Sequence, residues 1–125
     1  LELITRMYRT FCSGEVPEPV EEKRELLDEL MSYVEDCLAE HINLEDTARH
    51  FHVSESTISQ LFRKRMGVSY YRYVTQRRLI AAKTMISEGS NLERVAEAVG
   101  FTDYSGFYRA FKQEYGISPT KFRSL

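Results

Sequence analysis

The stretch that decides the fold is Val95–Phe122, VAEAVGFTDYSGFYRAFKQEYGISPTKF. Leu92, Val95, Ala96 and Val99 recur at i, i+3, i+4 and i+7, one face of a short helix. Gly100 follows the last periodic residue, where a left-handed residue ends a helix without steric cost. Thr102 or Asp103 supplies an oxygen cap for a second helix, since a short oxygen side chain satisfies free N–H groups there. Phe107, Ala110 and Phe111, with Tyr115 as a further member, form the apolar stripe of that helix, and Gly116 stops it. Ser118 as N-cap and Pro119 at the first helical position open a third helix. The second helix keeps a polar face of Ser105, Tyr108, Arg109 and Lys112. Two helices joined by a Gly-containing corner, with donors on the second, suit entry into the DNA major groove. On this stretch alone a helical hairpin in any small bundle fits equally well.

The stretch occurs twice. Leu44-Glu45 and Ala48 match Leu92-Glu93 and Ala96 at an offset of 48, and Ser54-Glu55 lines up with Thr102-Asp103 at the same offset. Past the corner the offset is 49, pairing Phe62 with Phe111, Gly67 with Gly116, Ser69 with Ser118 and Tyr73 with Phe122. One extra residue in the second copy accounts for the change. Two groove-reading hairpins joined by one helix have a geometric use. Successive major-groove faces on one side of B-DNA lie about 34 Å apart. A connector of roughly 17 residues spans about 25 Å, and the widths of the two units make up the difference.

The chain has 125 residues, enough for one domain or two very small ones sharing a core. No run of 18 apolar residues is present, so no membrane span is expected. Leu1 reads as a cut point inside a longer protein, and the start lacks a basic-then-apolar signal pattern. Cys12 and Cys37 are far apart and have no metal-ligand spacing, which suits free thiols in a reducing cytoplasm. His50-x-His52 has neither a cysteine pair nor an i+4 histidine to close a zinc site, so these histidines and His41 read as surface or corner residues. No metal or cofactor is expected. The net charge of −2 hides an asymmetry. Residues 1–40 carry 11 acids and 4 bases, whereas residues 41–125 carry 8 acids and 13 bases. The bases sit on the two second helices (Arg63, Lys64, Arg65; Arg109, Lys112) and on the connector (Arg72, Arg77, Arg78).

In chain order, residues 1–22 read as a terminal amphipathic helix, Leu1–Phe11, and an acidic Pro-containing linker that belong to a missing upstream domain; residues 1–12 could alternatively form a homodimer contact. Residues 23–68 form the first helix-turn-helix unit, with a helix over 23–40 striped by Leu27, Leu30, Met31, Val34, Cys37 and Leu38. Asn43 caps the next helix with Asp46 at N3, and Leu44, Ala48 and Phe51 face inward. Ser54 caps the second helix beyond the His52-Val53 corner, with Ile58, Leu61, Phe62 and Met66 inward and Glu55, Ser56, Ser59, Gln60 and Arg63 outward. Residues 69–88 hold the connecting helix, Tyr70–Ser87, lined by Val74, Ala81, Ala82, Met85 and Ile86; Arg78 lies near that stripe and reads as one half of a structural ion pair. Residues 89–125 form the second unit, opened by a Ser90/Glu93 capping box. Gln can pair with adenine and Ser with several bases, while Arg63 and Lys64 suit phosphates.

Three segments, LEDTARHFHVSESTISQLFRKRMGVSYYRYV, RRLIAAKTMI and VAEAVGFTDYSGFYRAFKQEYGISPTKFR, resemble the DNA-binding domain of the AraC/XylS family of bacterial transcription regulators. The resemblance covers residues 24–124. It implies an all-α fold of about seven helices, two helix-turn-helix units joined by a long central helix. Each unit's second helix would enter a major groove on one face of double-stranded DNA. The first would present Glu55, Ser56, Ser59, Gln60, Arg63 and Lys64, and the second Tyr104, Ser105, Tyr108, Arg109 and Lys112, with Arg109 the strongest candidate for guanine. It further implies a separate signal-sensing or dimerising domain and contact with RNA polymerase. Two features depart from the family pattern: His52 stands at a corner often held by Gly, and Gly106 lies inside the second recognition helix. The alternative from another class is a helical protein-interaction adaptor without sequence-specific DNA binding. An enzyme is disfavoured because no nucleophile–base arrangement, metal constellation or phosphate-cradling loop is present in the sequence.

Overall fold

The computed structural model describes residues 19–125, and these are helical throughout their regular structure. The first helix, α1, spans Pro19–Asp36. It begins earlier than the hydrophobic stripe alone predicts, so residues 19–22 are helix rather than linker. Pro at the first helical position needs no hydrogen-bond partner for its missing N–H. It also ends earlier, at Asp36, and residues 37–40 close a turn in which Cys37 N donates to Val34 O and Glu40 N to Cys37 O. The Leu1–Phe11 helix and Cys12 lie outside the described residues.

Then follow α2 (Leu44–Phe51), α3 (Glu55–Met66), α4 (Tyr70–Ser87), α5 (Leu92–Ala98), α6 (Tyr104–Tyr115) and α7 (Pro119–Arg123). Five of these starts are capped by the residue the sequence nominates or allows. The side chains of Asn43, Ser54, Ser69, Asp103 and Ser118 each accept from the backbone N–H three residues on. The exception is α5. Asn91, not the Ser90/Glu93 box, is the cap, because its Oδ1 reaches both Glu93 N and Arg94 N.

The core is two separate clusters that share α4. The first joins Leu27, Leu30 and Val34 of α1, Ala48 and Phe51 of α2, Ile58, Leu61 and Phe62 of α3, and Tyr70, Tyr73 and Val74 at the start of α4. The second joins Leu79, Ala82 and Ile86 at the end of α4 to Val95, Ala96 and Val99, then Phe107 and Phe111 of α6. Phe62 and Phe111, the duplicated aromatic pair, are both fully buried. Truncating either to Ala should cost about 3–5 kcal/mol. Met66 does not face inward as its spacing suggests; it is 37% exposed at the last residue of α3.

The repeat is visible in the backbone. His52 and Gly100, at the 48-residue offset, both take positive φ at the ends of α2 and α5. Val53 N donates to Ala48 O and Phe101 N to Ala96 O, the same six-residue helix-ending bond in both copies. The caps Ser54 and Asp103 stand at an offset of 49. The additional residue therefore lies between the left-handed corner and the cap, and Ser54 corresponds to Asp103 rather than to Thr102.

Candidate nucleic-acid interface

The two second helices, α3 and α6, are each anchored by buried aromatics and aliphatics on one side and are polar on the other. On α3, Glu55, Ser56, Gln60, Arg63 and Lys64 are exposed, while Ser59 is half-buried beside the stripe. On α6, Ser105, Arg109 and Lys112 are exposed. Tyr104 and Tyr108 are half-buried, their rings 6.2 Å apart, and the Tyr104 ring also lies 5.9 Å from that of Phe107. These two tyrosines therefore offer edges rather than whole side chains to a ligand.

Asp103 organises the start of α6. Its Oδ1 accepts from Gly106 N at 2.7 Å and from Ser105 Oγ at 3.0 Å. Those two bonds, with the charge of Arg109 as a smaller contribution, hold its carboxyl below the usual aspartate range. The Ser105 hydroxyl proton is thus spent on the cap, leaving its oxygen to accept. Gly106 has a local reason: a Cβ there would stand 3.2 Å from the capping Oδ1.

The basic side chains divide into two populations. Arg63, Lys64, Arg65 and Lys112 make no hydrogen bond or ion pair among the described residues, and all are exposed. Arg65 is exposed as well; it falls at i+7 from Ile58, on the side of the Ile58–Leu61–Phe62 stripe, but in the last turn of α3. The connector's arginines are occupied instead. Arg72 reaches Glu114 Oε1 at 3.2 Å, and Gln76 reaches Oε2 of the same carboxylate at 3.3 Å, tying α6 to α4. Arg77 grips Glu35 of α1 with two bonds of 3.0 Å. Arg78 is structural, as its position suggests, but its partners are the carbonyls of Leu38 and Glu40 rather than a carboxylate.

The His50 ring lies 4.8 Å from that of Tyr33 and 4.9 Å from that of Phe51, a surface aromatic contact. Cys37 is a half-buried free thiol whose pKa is pushed up by burial. Lys83 sits 4.5 Å from the centre of the Tyr115 ring, a cation–π contact between the connector and the second unit. Among the described residues no group of His, Cys, Asp and Glu could hold a metal, and no helix is long and apolar enough to cross a membrane.

A family model described as a helix-turn-helix domain matches residues 47–124, which takes in most of α2, all of α3, the connector and nearly all of the second unit. The chain belongs to the AraC family of helix-turn-helix transcription regulators. It is 35% identical over 109 residues to YfiF, an uncharacterised HTH-type transcriptional regulator of Bacillus subtilis, covering 86% of this chain and 34% of that protein. It is likewise 35% identical over 94 residues to the arabinose operon regulatory protein of Salmonella typhimurium, covering 74% of this chain and 34% of that one. The chain thus spans about a third of the length of these curated relatives. Its fold is also that of the DNA-binding domain of AdpA, a global transcriptional factor solved with a target DNA. The TM-score is 0.74 at 22% identity, covering 78% of this chain and 89% of that one.

Proposed function

We propose that this AraC-family chain is a sequence-specific double-stranded DNA-binding module, laying α3 and α6 into adjacent major grooves on one face of the duplex. The observation that carries the reading is the division of its basic residues. The arginines of the connector are spent on carboxylates and carbonyls, whereas the basic residues on the polar faces of α3 and α6 are left open to solvent. Two core-anchored helices with unspent donors at duplicated positions are suited to phosphate and base edges. The 18 residues of α4 span about 27 Å, on the scale of the roughly 34 Å helical repeat of the duplex.

Within this reading Gln60 and Arg109 are the base-edge candidates, supported by their exposure and by the donor geometry of amide and guanidinium. Glu55, Ser56, Ser59, Tyr104, Ser105 and Tyr108 complete the reading faces, and Arg63, Lys64 and Lys112 hold phosphates. A signal-sensing segment outside these residues, a homodimer made through it, contact with RNA polymerase and a place in the bacterial cytoplasm belong to the same proposal. What supports them is the greater length and the regulatory names of the relatives.

Selection of binding sites from a random duplex pool at two salt concentrations tests the proposal. The expected result is one motif with two half-elements about a helical turn apart. Retention of DNA without a motif, vanishing as salt rises, would leave only electrostatic attraction and favour an adaptor role.

A further inference from the structure

The strongest unassigned feature is a three-way contact where the two units meet. From the middle of α4, Arg78 donates Nε to Leu38 O at 3.0 Å and Nη2 to Glu40 O at 2.8 Å. Both carbonyls belong to the turn after α1, whose last turn has no basic residue of its own. The guanidinium therefore supplies the positive charge and donors that a helix C-terminus favours. Its planar fork spans two acceptors, which an ammonium cannot do with one fixed geometry.

The other side of this contact is Gly100, at the corner of the second unit. Its φ is +104°, and a Cβ there would overlap the Leu38 carbonyl oxygen and stand 2.7 Å from Arg78 Nε. The duplicated position in the first unit is His52, which takes φ 57° and leaves its side chain in solvent. The same helix-ending turn thus accepts a side chain in one copy and excludes it in the other. What excludes it at Gly100 is the neighbouring unit as well as the turn.

The two cores give this contact its consequence. They are disjoint clusters, meeting only along α4 between Val74 and Leu79. Each unit buries its own residues against its own stretch of α4. The relative placement of α3 and α6 then depends on α4 and on ties to it, of which Arg77–Glu35 and Arg72–Glu114 are partly exposed and screened. The contact of Arg78, Leu38 and Gly100 is the close-packed one.

We propose that Arg78 and Gly100 form a spacing lock: they fix the separation and rotation of α3 relative to α6, and so make the protein select DNA sites by the distance between half-elements. The DNA half of this proposal rests on the binding function proposed above; the lock itself does not. Arg78 is a positioning residue and touches no DNA. One inserted base pair moves a half-element by about 3.4 Å and a tenth of a turn, which a locked pair of helices cannot follow.

Two measurements test it. In the first, Arg65→Cys and Gln113→Cys carry spin labels in a background with Cys12 and Cys37 replaced by Ser, and the label distance is read without DNA. The expected result is one narrow distribution with Arg78 in place and a broadened one in Arg78→Ala and Arg78→Lys, with helical content unchanged. Equal widths would overturn the lock whether or not the protein binds DNA. If Arg78→Ala does not fold, Gly100→Ala, which pushes on the same contact from the other side, takes its place. In the second, unlabelled protein is titrated with its selected site and with versions carrying one or two inserted base pairs. The unaltered protein should lose on the order of tenfold per insertion, and Arg78→Lys should lose much less. A uniform loss at all spacings would show that Arg78 supports the fold without setting the spacing. Failure of the unaltered protein to select any site would instead sink the DNA reading and leave the distance measurement to judge the lock.

Discussion

The hydroxyl of Thr47 lies 3.0 Å from that of Tyr70, joining α2 to the start of the connector inside the first core. Thr47 Oγ1 is also 2.8 Å from Asn43 O, a carbonyl that can only accept. The single hydroxyl proton of Thr47 is therefore committed, and Tyr70 must be the donor in the pair. Thr47 is a buried polar residue in the helix whose partner face is otherwise apolar, and this chain of two bonds is what satisfies it.

Thr47→Val should cost about 1–3 kcal/mol, because it leaves the Tyr70 hydroxyl buried without an acceptor. Tyr70→Phe should cost less, since Thr47 keeps its bond to Asn43. The double variant should cost less than the sum of the singles. Urea unfolding of the four proteins reads this directly; strict additivity would mean that the two hydroxyls do not interact. Burial pushes the Tyr70 phenol up to about 12 from an ordinary value near 10. A raised pKa gives stability that is complete below the unfolded value and is lost as pH rises through the folded one. Stability should thus fall between about pH 10 and 12 more steeply in the unaltered protein than in Tyr70→Phe.

Asp103 shifts the other way. Its lowered carboxyl pKa means that the cap of α6 is intact above the ordinary aspartate range and fails only as pH falls through its depressed value. Asp103→Asn keeps an acceptor for Gly106 N but discards the charge. It should therefore remove the acid sensitivity of α6 without unwinding the helix at neutral pH, whereas Asp103→Ala should fray the first turn at any pH. Amide exchange at Gly106 and Phe107, followed from pH 7 down to 3, separates these outcomes. Identical exchange in all three proteins would mean that Asp103 is not the cap in solution.

Local grammar made most of this architecture legible before any coordinates. The apolar periods of Leu92–Val99 and Ile58–Phe62, the glycines at 67, 100 and 116 and the serines at 54, 69 and 118 each carry their structural meaning within a few residues. What stayed hidden depended on distant partners. Nothing near Arg78 says that its acceptors are two carbonyls some 40 residues earlier, and nothing near Thr47 points to Tyr70. The start of α1 was obscured because Pro19 marks a helix start and a linker equally well. At the interface, the polar faces followed from the stripes. The half-burial of Ser59, Tyr104 and Tyr108 did not, because it depends on how far neighbouring rings lean over each helix.

The contrast between the two corners gives a stability prediction. His52 holds a left-handed conformation that costs an L-residue roughly 1–2 kcal/mol and that Gly adopts freely. His52→Gly should therefore be close to neutral or mildly stabilising once the entropy of the unfolded glycine is counted, by less than about 1 kcal/mol. Gly67→Ala imposes the strain at a site with open space around it and should destabilise by about 1 kcal/mol. Thermal unfolding of the two variants against the parent decides the matter. A clear loss in His52→Gly would show that the imidazole has a partner in solution.

The sharpest functional test separates Arg109 from Lys112, which lie three residues apart on one face of α6. Arg109 stands nearer the helix N-terminus, the end that points into a groove, and its guanidinium can bridge two acceptors on guanine. Arg109→Ala should weaken the selected site by about 1–3 kcal/mol and relax preference at one base pair. Lys112 is a point charge one turn further back, suited to the sugar–phosphate wall. Lys112→Ala should weaken all sequences alike and flatten the salt dependence of log K by about one contact. Binding isotherms on the selected site and on scrambled duplexes, each at several salt concentrations, give both quantities. If Arg109→Ala loses equally on every sequence, the guanidinium touches phosphate and the base preference of α6 must come from the Ser105 and Tyr108 edges. If the salt slope is unchanged in Lys112→Ala, that ammonium does not reach the backbone, and α6 enters the groove at a different tilt from the one its exposed face implies.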